Sequence, residues 1–221
     1  MPTTVYAETN DALLGYSSAL FGGARGGALT TGNQRLATTT AYNFGVYVRY
    51  LSGRGGNTYY IKRSFFEFDL SGESGTVESA EVKIVLDNLG SSGNPAKVIM
   101  VKATALADST ADYGNVFSSL ATLGTTYSDV ITPSTTVGYH TFTMTSDAIS
   151  DINDAVGSGN FTLGLMSYSY DHQNFAPSLG GNYCQTLVRY SDYSGTSSDP
   201  KLELTYATAV TDNATFFGTN F

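Results

Sequence analysis

The sequence predicts an all-β chain, an antiparallel jelly-roll-like β-sandwich that carries one short helix. Residues 63–71 alternate in an extended pattern, with Phe66, Phe68 and Leu70 on one side and Glu67 and Asp69 on the other. Residues 77–86 repeat the pattern, setting Val82, Ile84 and Leu86 against Glu81 and Lys83. The intervening residues 71–76 are a Gly/Ser turn cluster too short for the helical crossover that parallel strands need, so the two strands are expected as antiparallel neighbours. With 16 tyrosines, 12 phenylalanines and no tryptophan, the aromatic content favours pleated, half-buried surfaces over helices.

A chain of 221 residues suits one large β-domain with appendages. We divide it into an N-terminal strand and Gly-rich arm (1–41), a sandwich domain (42–206) and an aromatic C-terminal tail (207–221). Acidic residues outnumber basic ones 19 to 11, and the net charge of -8 repels a phosphate backbone, so no nucleic-acid partner is expected. Membrane insertion is not expected either, because no apolar run reaches the ~20 residues of a spanning helix. Cys184 stands alone in the sequence and reads as a structural thiol. Residues 1–8 lack the basic start and apolar stretch of a secretory signal. Either an export signal has been removed, or the protein leaves its cell by lysis within a virus particle.

Taken in order, residues 2–16 alternate loosely and read as a first strand. Residues 21–32 are glycine-dense and read as loop; they lack the Gly-Lys-Ser/Thr ending of a phosphate-binding loop. Residues 43–50 form a strand with Phe44, Val46 and Val48 on one face, and residues 52–57 turn the chain into 58–62 as a hairpin. Residues 96–103 resume a strand whose apolar residues fall on both faces, as in a central strand or one covered by another subunit. Residues 108–126 read as a long loop. Residues 137–144 are strand-like, and the helix follows. Ser146 is placed to cap it, Asp147 sits in its first turn, and Ala148, Ile149, Ile152, Ala155 and Val156 recur at helical spacing until Gly157. Its apolar stripe should seal one end of the sandwich. Strands are then expected over 160–166 and 199–206, the last with Leu202, Leu204 and Tyr206 inward.

Residues 63–71, 77–86, 146–165 and 199–206, in this order and spacing, resemble the DNRLRE-type β-sandwich modules, relatives of the disaggregatase-related carbohydrate-binding modules of secreted and surface proteins. The resemblance implies a jelly-roll-like sandwich and, by analogy of fold, glycan binding or a structural surface role in place of catalysis. The chain departs from the pattern in having no tryptophan in its middle segment, a Gly-rich segment before Tyr42 and a Phe-rich tail. Those departures favour a specialised assembly role.

Tyr168, Tyr170, His172, Gln173 and Asn174 make a polar, aromatic-flanked loop suited to gripping a sugar or a protein, although a merely solvated loop would look the same. Phe216, Phe217 and Phe221 are costly to leave in water and are expected to fold back or to enter another subunit. His140, within a strand, reads as structural. Glu67 and Asp69 read as solvated or paired with Lys83 or Arg63, because the outward face of an alternating strand is polar. The sequence holds no nucleophile elbow, since residues 157–159 end a helix. No cofactor is expected beyond a structural calcium held by loop acids such as Asp108, Asp112 or Asp87 with Asn88, at no EF-hand spacing; Asp147, Asp151 and Asp154 read as helix-start charge and a solvated face. The expectation is a non-enzymatic structural protein on the surface of a virus particle, such as a phage capsid decoration, fibre or appendage, with other virion subunits or copies of itself as partners. The alternative is an extracellular carbohydrate-binding or adhesion module that takes a surface glycan.

Overall fold

The computed structural model describes residues 2–26, 34–36, 43–87, 97–107, 112, 115–116, 123–178, 183–191 and 195–208. Its elements are β1 (Thr3–Tyr6), β2 (Ala12–Ser18), α1 (Phe21–Gly26), β3 (Gln34–Leu36), β4 (Asn43–Gly53), β5 (Gly56–Asp69), β6 (Val77–Asp87), β7 (Val98–Lys102), β8 (Gly138–Thr143), α2 (Ser146–Ala155), β9 (Asn160–Ser167), β10 (Cys184–Val188) and β11 (Lys201–Tyr206). A one-turn π-helix, Tyr168–His172, follows β9. No helix among the described residues is long and apolar enough to cross a membrane.

Every strand pair is antiparallel, and residues with partners on both edges define two layers. Val82 pairs with Leu202 on one side and Phe142 on the other, so β6 lies between β11 and β8, with β1 beyond β11. Ser64 pairs with Leu13 and Leu165, placing β5 between β2 and β9, with β3 beyond β2 and β7 beyond β9. The β4 strand shares the β9 edge of β5 earlier along the strand and closes the expected hairpin at Gly53 and Gly56. β10 joins the layers: it pairs with β4 and, after a bulge between Thr186 and Leu187, also with β6. Phe66, Phe68 and Leu70 from β5 and its continuation, and Val82, Ile84 and Leu86 from β6, are fully inaccessible members of one core. Their alternation gives this sandwich its hydrophobic interior.

β5 and β6 are not hydrogen-bonded neighbours, contrary to the sequence expectation. β2, β4 and β9 already fill both edges of β5, so residues 71–76 carry the chain from one layer to the other. That crossing is pinned to the end of α2, where Leu70 N–H donates to Gly159 O (2.9 Å) and Gly157 N–H donates to Leu70 O (2.8 Å). Gly157 has φ 75°, a left-handed conformation that glycine adopts without strain and that stops the helix. At the other end of α2, Thr145 rather than Ser146 is the cap, its Oγ1 accepting from Ala148 N–H. Ala148 and Ile152 are buried, so the apolar stripe does close one end of the sandwich.

Other elements differ from the sequence reading. The single strand expected over 2–16 is two strands, β1 and β2, one in each layer, so this segment is built into the sandwich. Residues 21–26 form α1 despite their glycines, because Ala24 is fully buried and tertiary packing overrides weak propensity. β7 is buried on both faces within its own chain, although it lies beyond β9 and not at the centre of its layer. Residues 125–131 of the same chain line its free edge, with Val98 exchanging hydrogen bonds with Ile131 (2.9 and 3.0 Å) and Tyr127 N–H donating to Met100 O (2.9 Å). β10, around buried Cys184, was not anticipated.

Two substitutions test this packing. A Cβ at Gly45 would run into the Val188 side chain and lie 2.8 Å from Ser64 Oγ, so Gly45→Ala should cost about 1–3 kcal/mol. Phe66→Ala, which empties a fully buried site stacked on Tyr190, should cost about 3–5 kcal/mol. Urea unfolding at constant m-value measures both; a neutral Gly45→Ala would contradict the close approach of the Val188 and Ser64 side chains to β4.

Candidate functional site

The π-helix divides the predicted ligand residues between two environments. It begins where β9 ends, with Tyr168 N–H donating to Lys97 O (2.8 Å), and closes with Gln173 N–H donating to Tyr168 O (3.0 Å). Tyr168 and His172, one turn apart, share a face, and their rings stack with centroids 5.4 Å apart. His172 Nδ1 lies 3.1 Å from Gln173 Nε2, and Nε2 lies 3.5 Å from Thr126 Oγ1. Gln173 and Asn174 are exposed, Asn174 at φ 54°, and Phe175 beside them is 65% exposed. These residues form an aromatic and polar surface turn. Tyr170 does not belong to it, because half a turn of helix directs it into the core, where it is 6% exposed and burial raises its pKa.

The same half-turn sends Asp171 inward to a buried ion pair. Arg63 donates to both Asp171 carboxylate oxygens, from Nε (2.6 Å) and Nη2 (2.8 Å), and both side chains are inaccessible. Arg63 Nη2 also donates to Arg25 O (2.7 Å) in α1, while Arg25 Nε donates to Asp171 O (2.6 Å). β5, α1 and the π-helix are thereby tied together by charge-assisted hydrogen bonds. The sequence reading missed this group; its one local signal is a charge at Arg63 ahead of an apolar run.

Glu67 is also buried, which corrects its reading as a solvated or ion-paired acid. Its Oε1 accepts from Asn10 Nδ2 (2.7 Å) and Asn160 Nδ2 (2.9 Å), and its Oε2 accepts from Thr162 Oγ1 (2.9 Å) and Leu106 N–H (3.2 Å). The carboxylate is a structural acceptor that joins the segment before β2, β9 and the chain after β7. Asp69 is exposed, and hydrogen bonds from Ser71 hold its carboxyl below the usual range. Lys83 pairs with Glu203 (2.6 Å) and Glu81 (3.4 Å), not with β5.

Two shallow hollows meet at Asn160. One, of about 330 Å³, is lined by Lys102, Tyr127, Asp151, Asp154 and Thr162; the other, of about 290 Å³, by Glu8, Thr9, Asn10, Glu67 and Asp69. In the first, Lys102 Nζ lies 2.8 Å from each Asp151 oxygen and the Tyr127 hydroxyl also donates to that carboxylate. Burial opposes ionisation, but these hydrogen bonds hold the Asp151 carboxyl below its usual range. The helix acid is therefore paired, where the sequence suggested a solvated face.

Asp112 is buried and accepts from Ala107 N–H (2.9 Å) and Asn115 Nδ2 (3.3 Å), holding its own loop. Among the described residues no group of three or more His, Cys, Asp or Glu side chains is arranged to hold a metal. Of the other calcium candidates, Asp108 and Asn88 lie outside the described residues, as do Phe216, Phe217 and Phe221 of the tail. His140 is structural: Nε2 accepts from Ser134 N–H (2.9 Å), so Nδ1 carries the proton shared with Gly138 O (2.9 Å). Cys184 is buried, and its thiol is pushed up to about 11, which leaves it unreactive at neutral pH.

Removing one partner of the Arg63–Asp171 pair strands a buried charge, so Asp171→Asn should cost about 3–5 kcal/mol in chemical unfolding. Retention of wild-type stability would contradict that geometry. Burial lowers the His172 pKa below 6.5, so between the folded and unfolded values the unfolded chain binds more protons. Stability should fall as pH drops through about 6.5, and His172→Asn should flatten that part of the melting-temperature profile relative to wild type. A steeper profile in the variant would reverse the assignment. No protein-family model matches this chain, and a search of curated proteins returns no relative.

Proposed function

We propose that this chain is a non-enzymatic structural protein acting through surface contacts on a virus particle, as a phage capsid decoration, fibre or appendage component. The observation that carries the non-catalytic reading is the use made of its buried acids. Glu67 accepts four hydrogen bonds and Asp171 is clamped by Arg63, so these carboxylates serve as scaffold. A general acid or base needs a proton site directed at substrate, and neither carboxylate is arranged that way. The virion setting is supported by the sequence around the sandwich: the glycine-rich segment before β4, and Phe216, Phe217 and Phe221 after β11, which offer apolar side chains to a neighbouring subunit.

The Tyr168–His172 stack favours a second reading, a carbohydrate-binding module. A half-exposed aromatic pair flanked by Gln173 and Asn174 combines a ring face with amide hydrogen-bonding groups.

Size-exclusion chromatography with light scattering separates the two readings. An oligomer formed by the full chain and lost in a chain ending at Tyr206 is the outcome expected of the assembly role. A monomer in both cases sinks it. Glycan-array binding that disappears in Tyr168→Ala would favour the second reading instead.

A further inference from the structure

The β4–β5 hairpin and β10 carry a second aromatic surface, remote in sequence from the π-helix. On β4, Tyr47, Arg49 and Leu51 alternate to one face; Lys62, Tyr60 and Thr58 stand opposite them on β5. Gln185 stands opposite Tyr47 on β10, and Tyr183 precedes that strand. The alternate residues Val48, Ile61 and Cys184 point the other way and are buried, so the aromatic face is specified by the pleat. Arg49 is exposed, and its guanidinium lies 6.0 Å from the centre of the Tyr183 ring, with Nη1 3.4 Å from Tyr47 OH. Lys62 Nζ lies 5.9 Å from the Tyr47 ring centre, and Tyr47, Tyr60, Lys62, Tyr183 and Gln185 are all half-buried.

This composition is unusual for the chain that carries it. The whole sequence holds 19 acidic residues against 11 basic, yet no carboxylate registers onto this face among the described residues. The face therefore sets positive charge and tyrosine rings together in an otherwise acidic protein. Among the described residues Leu51, at its tip, is the one aliphatic side chain in this register, so the face is built of rings, amide and cationic groups. Tyrosine faces carry negative potential and attract the polarised C–H bonds on one face of a pyranose ring; the phenol hydroxyls and the Gln185 amide suit its hydroxyls. A planar guanidinium fits a carboxylate through parallel hydrogen bonds.

We propose that the face formed by Tyr47, Arg49, Tyr60, Lys62, Tyr183 and Gln185 binds an acidic polysaccharide, its sugar rings on the tyrosines and its carboxylates on Arg49. The proposal rests on the second reading only in taking a glycan as ligand, and places that ligand on a different face.

The test is affinity electrophoresis of the full chain in gels containing alginate, a carboxylated polysaccharide, or neutral dextran, with dextran sulfate to separate carboxylate from general anion binding. Alginate should retard the protein at least about tenfold more strongly than dextran, with an effect that weakens as salt rises. Arg49→Gln and Tyr60→Ala should each reduce alginate affinity about tenfold with unchanged melting temperatures, whereas Lys97→Gln, which removes an exposed charge elsewhere, should not. Alginate retardation that survives Arg49→Gln overturns the proposal, as does dextran sulfate binding that exceeds alginate binding. Loss in Tyr168→Ala with Arg49→Gln unaffected also overturns it, but leaves the glycan reading standing. Failure to bind alginate overturns the proposal, while the second reading is decided by the glycan array and Tyr168→Ala. A dimer abolished by Arg49→Gln would assign the face to a second copy of the chain and overturn the proposal.

Discussion

The structure depends on the burial of a charge in the middle of a sheet. Arg63 sits in β5 between Ile61 and Phe65, all on one face of the strand and all inaccessible. An unpaired guanidinium there would cost several kcal/mol, so the fold must bring a carboxylate to it and exclude water from both. Asp171 supplies that carboxylate from the π-helix, and the Arg25 carbonyl of α1 takes a further donor. One pair thus fixes the positions of α1 and the π-helix over the same face of the sheet. It also accounts for an α1 whose glycines would not form a helix alone.

Residues 63–68 of β5 are consequently buried on both faces, and each face has its own chemistry. The face with Phe66 and Phe68 meets the β6 layer in an aliphatic and aromatic core, where Tyr190 stacks on Phe66 and shares a hydrogen bond with Ser64 (2.7 Å). The face with Arg63, Phe65 and Glu67 lies under α1, the π-helix and the connections after β7. There each charge has polar partners and the space between is filled closely: a Cβ on Gly164 would lie 2.6 Å from Val116 Cγ1. Buried polar groups of this kind contribute less to net stability than to uniqueness, because few arrangements satisfy all of them at once. The exposed surfaces gain from this rigidity. The Tyr168–His172 stack is held by the turn that buries Asp171, and the tyrosines of the hairpin are aligned by the pleat that buries Ile61.

Much of this architecture is legible in the sequence. Alternation locates β4, β5, β6, β7, β8, β9 and β11, and capping with helical spacing locates α2 to within a residue at its start. The same alternation misjudges Glu67, because it reports sidedness and not what lies beyond the outward side. A layer of loops and helices covers that side, and Asn10, Asn160 and Thr162 arrive from distant parts of the chain to hydrogen-bond the carboxylate. Tyr170 is a related case. A loop of aromatic and polar residues suggests a surface, but a single helical turn sends alternate pairs in opposite directions.

The sequence alone determined the period of each strand, the end of the helix at Gly157 and the hairpin at residues 53–56, because pleat, turn and cap are encoded within a few residues. Only the tertiary structure decided that β5 and β6 lie in different layers, that β10 bridges those layers, and that Arg63 and Asp171 meet. Those outcomes depend on which edges and charges remain to be satisfied once the whole chain has packed. That is a competition among residues far apart in sequence, and no local pattern records it.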